Sequence, residues 1–122
     1  MKKFVTFLFA MIMGVTLFCL LTSCVSKKQK EALAKAKSYV DTLAVSKQRV
    51  VDGLEQLGYS DKEIDYALEN CGADWFQEAV EAAENAYQLD PSFYNEENLT
   101  SLLMTVGFTY EEAVYGARQA LS

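Results

Sequence analysis

One sulfur in this chain sits where chemistry is expected. Leu21-Thr22-Ser23-Cys24 places an aliphatic residue and two small ones directly before a cysteine, after Lys2, Lys3 and an apolar run from Phe4 to Leu21. A basic start, an apolar core and a small-residue exit make a signal peptide, and the last four residues match the bacterial lipobox at every position. The implied chemistry is thioether formation: the Cys24 sulfur takes a diacylglycerol, the chain is cut before it, and Cys24 becomes the new N-terminus. Two acyl chains on one residue give stable anchoring, whereas a single chain binds reversibly. The plainer alternatives are an ordinary secretory signal or an uncleaved anchor of marginal spanning length.

The other reactive groups narrow the field by what is missing. Cys19 leaves with the signal peptide and Cys24 is consumed by lipid, so Cys71 stands alone and the processed chain forms no internal disulfide. Cys71 reads as a small apolar residue near a helix end. The chain has 0 histidines, which removes the commonest general base and the commonest transition-metal ligand. Paired carboxylates can do acid–base work, but Glu63, Glu112, Glu96-Glu97 and Glu111 occupy capping or first-turn positions. No loop alternates Asp and Asn around a glycine as a calcium site requires. The expectation is a non-enzymatic protein with no catalytic residue, no metal and no cofactor beyond the diacylglycerol on Cys24.

Charge is distributed unevenly. Residues 24–49 hold seven basic and two acidic residues (+5), whereas residues 50–122 hold two basic and fifteen acidic ones (−13). Lys27, Lys28 and Lys30 fall in what reads as a short polar tether over 25–31, close to anionic headgroups that attract them. Asp61, Asp65 and Glu69 share one helix face at four-residue spacing, where like charges oppose helix formation, and Glu78 and Glu81 begin a second acidic face. These five are the candidate docking surface for a basic or amphipathic protein partner; solubility alone is the competing explanation. Nucleic acid is disfavoured by sign, because phosphate binding needs a positive stripe.

The elements that position these groups are helices, since no stretch alternates convincingly for strands. Gly58-Tyr59-Ser60 through Leu68 aligns without a gap on Gly107-Phe108-Thr109 through Ala117, at an offset of 49 (107 − 58). In each copy glycine ends a helix in a left-handed residue and an aromatic packs back on it. Ser60 with Glu63, and Thr109 with Glu112, then form capping boxes that start the next helix. Tyr66 and Tyr115 are equivalent and read as inter-helix packing. Around these units the spacing predicts a first helix over about 29–43 (Leu33, Ala36, Val40, Leu43). Ser46 caps a second helix (Val50, Val51, Leu54, Leu57), and a third follows Ser60 (Ile64, Ala67, Leu68). Asp74 or one of its neighbours caps a fourth (Phe76, Ala79, Val80, Ala83, Tyr87), Asn95 a fifth (Leu99, Leu102, Leu103, Val106), and the sixth carries Ala113, Val114, Ala117 and Leu121. Trp75 falls at the junction of the two modules and reads as the ring that joins their cores.

With lipobox and both modules in place, the chain resembles the host-cell-surface-exposed lipoproteins of the Ltp type. The resemblance is carried by residues 32–39, Ser46-Lys47, the unit from Gly58 to Leu68, Asp74-Trp75 ahead of Ala79-Val80, and the unit from Gly107 to Ala117. It implies tandem three-helix repeats displayed outside the membrane on a lipid anchor. For phage-encoded members it also implies superinfection exclusion, in which the protein stops phage DNA from crossing the membrane by engaging the tape-measure protein of the tail. The alternative is a structural or adhesive envelope lipoprotein that binds a host wall or membrane component.

The sequence therefore predicts an all-α protein of two tandem helix-turn-helix-like repeats. It is divided into a signal peptide (1–23), a lipidated cysteine and basic tether (24–31), a first repeat (32–73) and a second (74–122), with its place on the extracytoplasmic face of the cell membrane.

Overall fold

Among the described residues every helix starts at a polar cap that the sequence supplies. The computed structural model describes residues 25–122; the expected signal peptide, with Leu21, Thr22 and Ser23, and the expected lipidation site Cys24 lie outside the described residues. Six helices follow in order: α1 (Lys27–Thr42), α2 (Lys47–Gln56), α3 (Asp61–Asn70), α4 (Trp75–Leu89), α5 (Glu96–Thr105) and α6 (Tyr110–Leu121). Among the described residues there is no strand, and no helix is long and apolar enough to cross a membrane.

The duplicated unit forms the same backbone structure twice. Gly58 and Gly107 take positive φ, 86° and 103°. The Gly58 N–H donates to the Glu55 carbonyl and the Tyr59 N–H to Leu54. In the second copy Gly107 donates to Met104 and Phe108 to Leu103. These paired bonds satisfy carbonyls that a helix end otherwise leaves bare. The capping boxes then close: Ser60 Oγ accepts from the Glu63 N–H at 3.3 Å while Glu63 Oε2 accepts from the Ser60 N–H at 3.3 Å. Thr109 and Glu112 do the same at 3.2 and 2.9 Å. Asp74 Oδ1 accepts from the Phe76 and Gln77 N–H groups, and Asn95 Oδ1 from that of Asn98.

The basic tether is a correction. Lys27 to Glu31 is not an extended linker but the first turn and more of α1. Ser26 Oγ accepts from the Gln29 N–H at 3.0 Å and Gln29 Oε1 accepts from the Ser26 N–H at 2.8 Å. This is a third capping box, with glutamine in the place of glutamate. It moves the helix start two residues ahead of the expected one and turns three tether lysines into helix-surface groups.

Each set of three helices encloses its own core. Ala32, Ala36, Val50, Leu54, Ile64 and Ala67 form the first. Ala79, Ala83, Ala86, Leu99, Leu103, Phe108, Ala113 and Ala117 form the second. In each set the first helix packs chiefly on the third, α1 on α3 and α4 on α6. Alanines dominate those two crossings, so backbones approach closely. Gly116 marks the tightest point: a Cβ there would lie 2.6 Å from the Ala79 carbonyl oxygen. The expected apolar stripes hold in mid-helix and fail at the ends. Leu43, Leu57 and Leu121 are exposed where their helices end, and Phe76 is exposed in the first turn of α4. Trp75 opens α4, yet packs half-buried against the first core, and so links the two sets.

Candidate interaction site

Two hydrogen bonds join the repeats, and both start in the α1–α2 connection. Ser46, 1% exposed, accepts from the Arg49 N–H at 3.1 Å to cap α2. Its hydroxyl proton goes to the Val106 carbonyl at 2.8 Å. Val106 is the residue that caps the end of α5, so the start of a first-repeat helix is tied to the end of a second-repeat helix. Gly107 follows directly, and a Cβ on it would sit 2.6 Å from Ser46 Oγ. Here glycine serves two needs at once, the left-handed backbone and the approach of another chain segment.

The second bond runs from the Val45 N–H to Glu78 Oε2 at 3.1 Å. Glu78 is buried. Burial pushes its carboxyl above the usual range; the Val45 bond opposes this, while Glu81, Asp41 and Asp74 add to the rise through repulsion. Glu78 is therefore corrected from a docking residue to part of the joint. A carboxylate removed from water and bonded to backbone is not open to a partner.

Beside the joint lies a cleft of about 550 Å³ with mostly apolar walls. The first repeat contributes Tyr39, Leu43, Val45, Arg49 and Val50, and the second contributes Ala82, Asn85, Leu102 and Val106. Leu43 stands 56% exposed at its edge, so part of the wall is open to a partner. Arg49 supplies a cationic group to the lining, whose other residues are uncharged. The arrangement can accept a few apolar side chains from one face of a helix and offers polar groups around them. Among the described residues no cluster of histidine, cysteine and carboxylates has the makings of a metal site. Cys71 is half-buried, its thiol directed to the Leu68 carbonyl at 3.6 Å.

The remaining acidic residues fall outside the cleft. Asp61, Asp65 and Glu69 are all exposed along α3, and Glu81 is exposed on α4. Tyr115 meets Phe76 edge to face, with ring centroids 5.5 Å apart and planes at 88°, joining α4 to α6. Tyr66 is half-buried on α3, and its carbonyl accepts from Asn70 Nδ2 at 2.8 Å.

Sequence reasoning passed over the cleft itself. Its signal is Leu43-Ala44-Val45, three consecutive apolar residues in a helix connection where polar turn residues are usual. Apolar residues there have to be covered or to wait for a cover.

Comparison with known proteins agrees with this architecture. A family model described as host cell surface-exposed lipoprotein matches residues 27–71, which span α1 to the end of α3. The chain is also similar to a solved structure, that of Ltp, a superinfection exclusion protein from the Streptococcus thermophilus temperate phage TP-J34. The two are 34% identical, with a TM-score of 0.66, over 77% of this chain and 96% of that one. Among curated proteins none matches. An identity of that level across nearly the whole length of Ltp, joined to the matching fold, places this chain in the Ltp family of host cell surface-exposed lipoproteins.

Proposed function

We propose that the protein is a lipid-anchored module that excludes superinfecting phage by capturing a segment of an incoming tail protein at the membrane. The observation that carries this reading is the similarity to Ltp over 96% of that chain. In this mechanism diacylglycerol on Cys24 fixes the module on the extracytoplasmic face. The segment captured belongs to the tape-measure protein and is basic or amphipathic. Its positive charges are drawn by Asp61, Asp65, Glu69 and Glu81, which mostly raises the rate of encounter. Its apolar face settles in the inter-repeat cleft. Anchoring raises local concentration, so a modest intrinsic affinity suffices. No bond is made or broken, and no catalytic group takes part.

Replacing Cys24 by serine tests the anchor. The Cys24→Ser protein, secreted without lipid, should lose most of the protection that cells expressing the intact protein show against a sensitive phage. Undiminished protection at matched surface levels would remove the anchor from the mechanism.

A further inference from the structure

We infer that α1 lies along the membrane surface, with its lysine-lined outer half resting on anionic lipid headgroups. The inference rests on the anchor at Cys24 proposed above. Helix α1 starts at Lys27, three residues after Cys24 (27 − 24), so no flexible spacer separates it from the bilayer. Its inner face, Gln29, Ala32 and Ala36, is buried in the first repeat. On the outer half, Lys28 and Lys35 run along one flank and Lys30 and Lys37 along the other. Each pair is seven residues apart, or about two turns. Between the flanks the crest carries Lys27, Glu31, Ala34 and Ser38. All of these residues are exposed.

Two features favour a lipid surface over open solvent. First, the flank lysines have no carboxylate partner: among the described residues the sole ion pair is Arg118 with Glu96. Second, the crest is small at Ala34 and Ser38, so the helix can approach a plane closely while long lysine stems on both sides reach down to it. Sixteen residues give the contact a length of about 24 Å, and juxtamembrane lysines are attracted to anionic headgroups over about a Debye length. A helix held down at one end by two acyl chains and along its length by lysines is oriented as well as anchored. The cleft, which Leu43 and Val45 line just past the far end of α1, would then sit at a set distance from the bilayer.

Amine labelling of the full lipoprotein in nanodiscs tests this, read lysine by lysine by mass spectrometry. Discs of phosphatidylcholine alone are compared with discs in which about one quarter of the lipid is phosphatidylglycerol. In the anionic discs Lys28, Lys30, Lys35 and Lys37 should label roughly threefold or more slowly, and high salt should restore their rates. Lys62, exposed on α3, should label alike in both. In the variant with Lys28, Lys30, Lys35 and Lys37 all changed to glutamine, Lys27 should lose its lipid-dependent protection. Equal rates for the four lysines in both discs would overturn the proposal, as would protection that extends equally to Lys62. Soluble poly(glycerol phosphate) added to phosphatidylcholine discs should protect little; full protection by it would assign the face to a wall polymer instead. The intact mass of the same sample reports the diacyl adduct separately, so failure of the anchor and failure of the helix contact are told apart.

Discussion

Ser46 Oγ donates a 2.8 Å hydrogen bond to the carbonyl oxygen of Val106, sixty residues away, while capping its own helix through the Arg49 N–H. The equivalent residue in the second repeat, Asn95, caps only locally, through the Asn98 N–H. One repeat position thus carries a joint in the first copy and a simple cap in the second. Ser46→Ala removes both bonds and strands a carbonyl at the joint, so it should cost roughly 2 to 4 kcal/mol. Asn95→Ala should cost about 1 kcal/mol. Urea unfolding of the two variants side by side measures the difference.

Gly58 and Gly107 separate backbone preference from crowding. Both take positive φ, but nothing lies within 4 Å of a Cβ at Gly58, whereas at Gly107 it would meet Ser46 Oγ at 2.6 Å. Gly58→Ala should cost about 1 to 2 kcal/mol for the left-handed conformation alone. Gly107→Ala should add about 1 to 3 kcal/mol of overpacking. Equal losses in thermal or urea unfolding would mean that the joint yields without strain.

Glu78 gives the joint a pH dependence of known sign. Unfolded, its carboxyl titrates near its ordinary 4.5; folded, burial and the neighbouring Glu81, Asp41 and Asp74 hold the proton on to higher pH. Between those two values the folded state binds more protons, so this group's contribution to stability is largest at low pH and falls as pH rises through the folded value. Glu78→Gln keeps an oxygen acceptor for the Val45 N–H and removes the charge. It should therefore be more stable than the parent at pH 7, with the gap closing on acidification. Glu78→Ala, which keeps neither charge nor acceptor, should be less stable than Glu78→Gln at every pH. Urea midpoints from pH 4 to 7, taken as differences from the parent, check both statements.

Much of this architecture was legible because the caps and stops are local. Ser46, Ser60, Asp74, Asn95 and Thr109 each cap a helix through an N–H within three residues, and Gly58 and Gly107 end helices through backbone geometry that glycine alone makes cheap. The start of α1 lies ahead of the expected one because Gln29 completes its capping box in a lysine-rich segment that reads as a tether. The joint was not legible, since a hydroxyl that caps one helix gives no sign in sequence that its proton is bonded sixty residues away. Glu78 looked like any surface carboxylate beside Glu81, and only the packing of α4 against the Val45 segment sets them apart. The cleft belongs to neither repeat alone, so no periodicity within one could reveal it.

The acidic face of α3 has its own expected behaviour. Asp61, Asp65 and Glu69 are exposed and outside both cores, so changing them to Asn, Asn and Gln should leave unfolding midpoints within about 0.5 kcal/mol of the parent. Binding of a basic amphipathic tail-protein segment should weaken, and more at low salt than at high salt. Surface plasmon resonance at two ionic strengths reads this as a lower association rate. An unchanged rate at low salt would move the electrostatic capture surface off α3.

The most direct test of the account is phage challenge with adsorption and DNA injection scored separately. It compares cells that express the intact protein with cells that express Leu43→Asp, which places a charge at the exposed edge of the cleft. Adsorption should be normal in both, injection should be blocked with the intact protein, and Leu43→Asp should restore injection at equal surface level. Normal injection with the intact protein across a broad phage panel would contradict exclusion, and full protection by Leu43→Asp would contradict capture in the cleft.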